Sequence, residues 1–370
     1  MITMRKLFVL ILGVALVFAL VACGADDEVA SEDRPLRVIY VGSQLGDNSV
    51  ADAINTGMLE AERDFGIEYI FVLAAAENPA RFPAAIAEAV DMNPDIIVCG
   101  SGSGMNEVAA ASARINPDIM YVVLDAPPNM EGISDLNNFV GAMAKQNEAS
   151  FLVGYLAGLM TESDIISGTV GVEYPVLRDF IVGYIEGAKL SNPDITVLVG
   201  VIGDFLDQAR AMEIAMSQAN LGADVLFAIA GSASFGILEG ALNSEVWAIG
   251  VDVDMAAGFI GVNDAQADII ITSAIKDWGF LGYHAVERIV NGEPLAWGSV
   301  EEFGIRNGGV TFIQNDIFKR HVPEEVQERM NELLERVYSG EVVVRSFFNE
   351  DGTSMSDEEY EALKASVALR

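Results

Sequence analysis

Short apolar runs alternate along the chain with longer segments whose apolar residues recur every three or four positions. The runs are "RVIYVGSQ", "IEYIFVLAA", "DIIVCGSG", "MYVVLDAP" and "FVGAM", then "GTVGVEY", "DITVLVGVI", "DVLFAIAG" and "VWAIGVDVD". They are apolar almost without a break, the pattern of strands covered on both faces. Amphipathic stretches such as "PARFPAAIAEAVDMN" and "GILEGALNS" separate them. Such alternation predicts parallel sheets flanked by helices, an α/β fold. The rhythm occurs twice, and each half ends in a strand carrying an aspartate, Asp125 in "YVVLDAP" and Asp252 in "AIGVDVD". Then come "IIITSAIK", a helix "WGFLGYHAVERIVNG", "EEFGIRNGGVTFI" and a charged helix "PEEVQERMNELLERVYSG". Two similar lobes that exchange late segments are expected, with a ligand cleft between their C-terminal strand ends. The last 25 residues or so are acidic and are expected to be peripheral.

The beginning of the chain reads differently. "MITMRK" carries two positive charges, the next 14 residues are apolar, and the run closes on Leu20-Val21-Ala22-Cys23. This is the layout of a secretory signal, too short for a membrane span. The four residues resemble a bacterial lipobox, which implies a signal peptide over 1–22, cleavage before Cys23, and a lipid on its sulfur. Residues 23–35 then read as a flexible acidic tether. Cys99 is the other cysteine, so no intrachain disulfide is expected in the mature chain. It sits in an apolar run and is expected to be buried.

About 335 residues remain, enough for two domains. The net charge of −34 argues against nucleic acid and anionic membrane surfaces as partners. "GSGSGM" at 100–105 follows a strand, but the third glycine of a dinucleotide fingerprint would fall on Met105. The histidines, His284 and His321, stand far apart. No cysteine–histidine cluster has metal spacing, and no G-x-S-x-G elbow is present, so neither a metal, a cofactor nor an enzyme is indicated.

Several pieces in a fixed order carry a stronger signal. They are "GDNSVADAINTG", "QNEASFLVGYLAGLM", "VGVEYPVLRDFIVGYIEGAKLSNPDITV", "GDFLDQARAMEIAMSQANLGADVLFAIAG", "WAIGVDVD", "ITSAIKD" and "EEFGIRNGGV". Over residues 37 to 312 the chain resembles the basic membrane protein (PnrA-like) family. These are lipoprotein substrate-binding components of ABC importers, and characterised members bind purine nucleosides. The resemblance implies a type I periplasmic-binding-protein fold, with two Rossmann-like lobes joined by three crossovers that close on ligand by a hinge motion. Crossovers are expected near 143, 254 and 297. Lobe 1 would then hold 36–142 and 255–296, lobe 2 would hold 143–254 and 297–340, and 341–370 would be a C-terminal extension. A permease would be the protein partner, and the lipid on Cys23 would hold the receptor beside it on the outer face of the membrane.

The resemblance also implies site residues. The family's first loop reads Gly-Asp-Lys-(Gly/Ser)-Phe-Asn-Asp-Ser-Ala. Asp47, Ser49 and Asp52 match it, while Asn48 replaces Lys, Val50 replaces the base-stacking Phe, and Ala51 replaces Asn. Ser49-x-x-Asp52 is also capping-box spacing. Phe205 matches the second stacking aromatic. Asp252 matches the aspartate that holds ribose hydroxyls, and Lys276 the lysine beside it, which would neutralise Asp252. Asp125 points toward the same cleft, and Gly231 would let a strand end approach the ligand closely. Arg178 and Phe180 would border it. The small residues of "FLVGYLAGLM" and "FIVGYIEGAK" are expected to seat helices on a sheet.

The polar end of such a site is intact and its aromatic end is half gone, since one stack is worth about 1–3 kcal/mol. A purine nucleoside is therefore the first expectation. A sugar or other hydroxylated molecule is an alternative, as is a ligand sensor that docks on a signalling receptor.

Overall fold

A computed structural model describes residues 34–46, 49–74, 79–100, 104–349 and 353–369. Its elements alternate as the hydrophobic rhythm predicts. The first half runs β1 (Arg37–Gly42), α1 (Val50–Phe65), β2 (Glu68–Leu73), α2 (Phe82–Asp91), β3 (Ile96–Cys99), α3 (Met105–Ile115), β4 (Met120–Leu124) and β5 (Phe139–Ala144). The second runs α4 (Gln146–Met160), β6 (Ile165–Val170), α5 (Pro175–Ser191), β7 (Thr196–Val201), α6 (Gln208–Asn220), β8 (Val225–Ile229), α7 (Ser234–Asn243) and β9 (Trp247–Asp252). Then follow α8 (Asp264–Asp268), β10 (Ile270–Lys276), α9 (Trp278–Val290), β11 (Ser299–Phe303), β12 (Val310–Phe312), α10 (Asp316–His321), α11 (Glu324–Ser339) and α12 (Asp357–Ala365).

The strands form two six-stranded sheets of matching order. One is β11-β5-β4-β3-β1-β2 and parallel throughout. The other is β12-β10-β9-β8-β6-β7, with β12 alone antiparallel. The unbroken apolar runs have a simple cause. In the first sheet Val38, Tyr40, Val98 and Val122 face one core, together with Ile54 and Met58 of α1. Their neighbours Ile39, Val41, Ile97 and Val123 face the other, with Phe82 of α2 and Ala109 of α3. Successive side chains point to opposite sides of a strand, so both registers must be apolar when helices cover both faces. Cys99 lies in the second of these cores, fully buried, and burial pushes its thiol up to about 12.

The chain crosses between the sheets three times, the two-lobed type I arrangement. The first crossing is at Lys145, between β5 and α4. The other two come later than expected, at Asp277 rather than near 254, and between β11 and β12 rather than near 297. Strand β10 runs parallel beside β9, because α8 returns the chain to the same sheet. Strand β11 then joins β5 in the first sheet, so residues 299–303 complete the first lobe and not the second. The crossings lie side by side. Lys145 N donates to Phe303 O at 2.8 Å, and Asp277 N to Gly309 O at 2.9 Å. Glu148 accepts from Ile305 N at 2.8 Å.

Two further expectations are corrected. The small residues of α4 and α5 seat helix on helix, not helix on sheet: a methyl group at Gly154, Gly183 or Gly187 would run into the backbone carbonyl of Tyr184, Asn147 or Phe151. The C-terminal extension is not peripheral. Phe347, Met355, Tyr360, Leu363 and Val367 are buried in the core. Buried Asp179 of α5 accepts from Ser346 Oγ and Phe347 N, both at 2.7 Å, and from Gln146 Nε2. Arg178 pairs with Asp357 and stacks over Tyr360 at 4.9 Å. Asn129 Nδ2 donates to Ser354 Oγ at 3.1 Å, linking the extension to the loop after β4. The aromatic and apolar residues scattered through an acidic segment explain why it docks: their burial outweighs the charge around them.

Candidate functional site

The C-terminal ends of β4, β9 and β10 converge on one cavity of about 330 Å³. Small-molecule sites run from about 300 to 1,000 Å³, so this one has room for a single compact ligand. The first lobe contributes Ser49, Val50 and Asp125. The second contributes Tyr174, Phe180, Phe205, Gly231, Asp252 and Lys276, with Trp278 from the start of α9.

The two aspartates occupy equivalent places, one residue past β4 and at the last residue of β9. Each adopts a left-handed backbone, φ 66° at Asp125 and 67° at Asp252. Aspartate tolerates that region better than most residues because its short side chain can bond locally. Both are nearly buried, with 8% and 9% of their surface exposed.

Lys276 is 2% exposed and ends β10. Its Nζ lies 2.6 Å from Asp125 Oδ1, an ion pair between lobes. This corrects the expectation that it would neutralise Asp252. Asp252 Oδ1 instead accepts from Trp278 Nε1 at 3.1 Å. The ammonium also stands 4.3 Å from the centre of the Trp278 ring and 5.6 Å from that of Phe180. Buried charge is tolerated only when paired and surrounded by compensating groups, and here carboxylate and ring faces both serve. The polar end of the cavity is thus a fixed array of one ammonium, two carboxylates and an indole.

The other end is aromatic. Phe205 packs over Gly171, where a Cβ would collide with its ring, and 3.7 Å from the Cβ that Gly231 lacks. Tyr174 meets it nearly edge to face, at 6.3 Å and 70°. Burial, and then the charges of Asp125 and Asp252, push the Tyr174 phenol well above its usual value, so it stays protonated. Asp47 and Asn48 lie outside the described residues, as does Cys23. Ser49 begins α1 as its N-cap residue but makes no side-chain capping bond, and Asp52 accepts from Gly46 N at 2.7 Å, so the capping box does not form. Arg178 turns away to the C-terminal extension.

The sequence reading missed Tyr174 and Trp278. Both could have been found by position: Tyr174 lies in the loop after β6 at the cleft end of the sheet, and Trp278 two residues past the strand end that carries Lys276. Among the described residues no group of His, Cys, Asp and Glu could hold a metal ion, and no helix is long and apolar enough to cross a membrane.

Known proteins share this architecture. Basic membrane protein A1 of Borrelia garinii subsp. bavariensis is 26% identical over 343 residues, 92% of this chain and 96% of that protein. A protein described as ABC transporter nucleoside-binding protein BmpA, from Lactococcus lactis subsp. cremoris, is 26% identical over 260 residues, 68% of this chain and 71% of that one. An ABC transporter solute-binding protein from Aeropyrum pernix K1 superposes with a TM-score of 0.74 at 20% identity, over 91% of this chain and all of that one. The family model described as ABC transporter substrate-binding protein PnrA-like matches residues 36–346. With that match over most of its length, and with the strand ends of both lobes lining one cavity, this chain belongs to the PnrA-like family of ABC transporter substrate-binding proteins, which are solute receptors and not enzymes.

Proposed function

We propose that this protein is a lipid-anchored receptor, held outside the cytoplasm by Cys23, that captures purine nucleosides and delivers them to an ABC permease. The observation that carries the reading is that charged and aromatic groups line the same cavity. Asp252, steadied by Trp278, and the Lys276–Asp125 pair form a polar end suited to the adjacent hydroxyls of a ribose. A carboxylate accepts from two such hydroxyls at once, and its charge strengthens both bonds. Phe205 forms a flat apolar wall at the other end, as a nucleobase needs. The chain's likeness to a relative described as nucleoside-binding supports the same ligand.

Val50 favours a second reading. With no ring on that side, a base has one stacking partner fewer, and a sugar would use the polar end alone. A thermal-shift titration of the mature protein separates the two. Binding to the folded state raises the melting temperature by mass action. Inosine, guanosine or adenosine is expected to raise it, and ribose or galactose to leave it in place. A shift with a sugar and none with any nucleoside would overturn the nucleoside reading. Incorporation of radiolabelled palmitate into the wild type but not into Cys23→Ala tests the anchor.

A further inference from the structure

Tyr174 stands out among the cavity residues because none of the described residues bonds to its hydroxyl. Only burial and the charges of Asp125 and Asp252 act on the phenol, and no hydrogen bond to it is formed among the described residues. A protonated phenol in a cavity, facing two carboxylates without bonding to either, is a donor kept for something that enters.

The backbone holds the residue firmly. Pro175 starts α5, and the Tyr174 carbonyl accepts from Leu177 N at 2.9 Å and Arg178 N at 3.0 Å. Its flanks are tied to the C-terminal extension: Glu173 pairs with Lys364 at 3.3 Å, and Arg178 with Asp357. The ring stands at 70° to Phe205, so the two make a corner. A flat base lying on one ring meets the other at its edge, the approach that aromatic quadrupoles favour.

The geometry points to Tyr174 as a specificity-determining residue of this cleft: its ring adds a second aromatic surface at an angle to Phe205, and its hydroxyl donates a hydrogen bond to the sugar of a nucleoside. This rests on the nucleoside reading above. The sugar oxygen would accept from Tyr174 while its own proton goes to the Asp252 carboxylate, so one hydroxyl serves a donor and an acceptor at once. A ligand without that hydroxyl leaves the Tyr174 donor unmatched, and the cleft then discriminates by sugar as well as by base.

Isothermal titration calorimetry with inosine and 2′,3′-dideoxyinosine tests this on wild type, Tyr174→Phe and Tyr174→Ala. Tyr174→Phe keeps the ring and is expected to weaken inosine about 3- to 10-fold, the worth of one hydrogen bond, while leaving dideoxyinosine within about twofold. Tyr174→Ala removes the ring as well and is expected to weaken both ligands by about 3- to 10-fold more. Inosine binding that survives both substitutions overturns the proposal alone. Equal losses for the two ligands in Tyr174→Phe overturn the hydroxyl contact. A wild type that binds neither nucleoside overturns the nucleoside reading and this proposal with it. Unfolding curves of Tyr174→Phe matching the wild type show that a loss arises in the cleft.

Discussion

The Asp125–Lys276 pair offers a direct test of how the cleft is held together. Both groups are almost fully buried, 2.6 Å apart, and each belongs to a different lobe. At an effective dielectric near 20 their attraction is about 6 kcal/mol, most of it spent on removing two ions from water. The cost of losing one partner is therefore not the worth of the pair but that of stranding the survivor, about 3–5 kcal/mol. Lys276→Met removes the cation from a buried carboxylate. Asp125→Ala leaves the ammonium against the faces of Trp278 and Phe180 without its carboxylate partner. The double variant strands neither. Urea unfolding of the ligand-free protein, followed by circular dichroism, is expected to show each single variant losing about 3 kcal/mol or more. The double should lose less than the sum by about 2 kcal/mol or more, a coupling typical of residues in direct contact. Single losses below about 1 kcal/mol that add in the double variant would refute the reasoning, because the ion pair would then be stabilising nothing.

Three other outcomes follow from the fold. Burial raises the Asp179 carboxyl from 3.8 to about 6, although Ser346, Phe347 and Gln146 oppose the shift with hydrogen bonds. The folded state keeps its proton where the unfolded chain has lost it, so this group's contribution is complete below about pH 4 and falls away as pH rises through 6. Unfolding free energies of wild type minus Asp179→Asn should decline over that window by at most about 1.4 kcal/mol per pH unit, and a flat difference would contradict the assignment. Gly187→Ala forces a methyl into the Phe151 carbonyl across the α4–α5 contact and is expected to cost about 1–3 kcal/mol in the same urea assay, with an unchanged midpoint counting against close packing there. Cys99, buried with its thiol pushed to about 12, should resist Ellman's reagent at pH 8 in the native protein and react fully in denaturant.

How much of this was legible depends on what each residue's neighbours had to decide. The sheets were legible, because strands covered on both faces leave unbroken apolar runs. The second crossing was not. Residues 253–269 look like a linker after a terminal strand, and only the pairing of Ile270–Lys276 with β9 shows that the sheet continues. Asp125, Asp252 and Lys276 could be read as cleft residues because strand ends point there. Which aspartate the lysine chooses could not, since the two stand at equivalent positions and the choice is made by how the lobes meet. The docking of residues 341–349 and 353–369 was hidden by the segment's acidity, although Phe347, Phe348 and Tyr360 were in plain view. Tyr174 was not singled out, because only the folded chain brings it beside Phe205.

The exchange of strands between lobes has a consequence for how the molecule is made. The first sheet lacks its edge strand until residues 299–303 are available, and the second lacks its own until 310–312. The last apolar residues of the second lobe's core come later still, at Tyr360, Leu363 and Val367. A growing chain usually folds its N-terminal domain while the rest is being synthesised. Here neither half can finish early. Both sheets therefore reach their full strand complement within the same stretch of about a dozen residues, so the lobes are completed together and not one after the other.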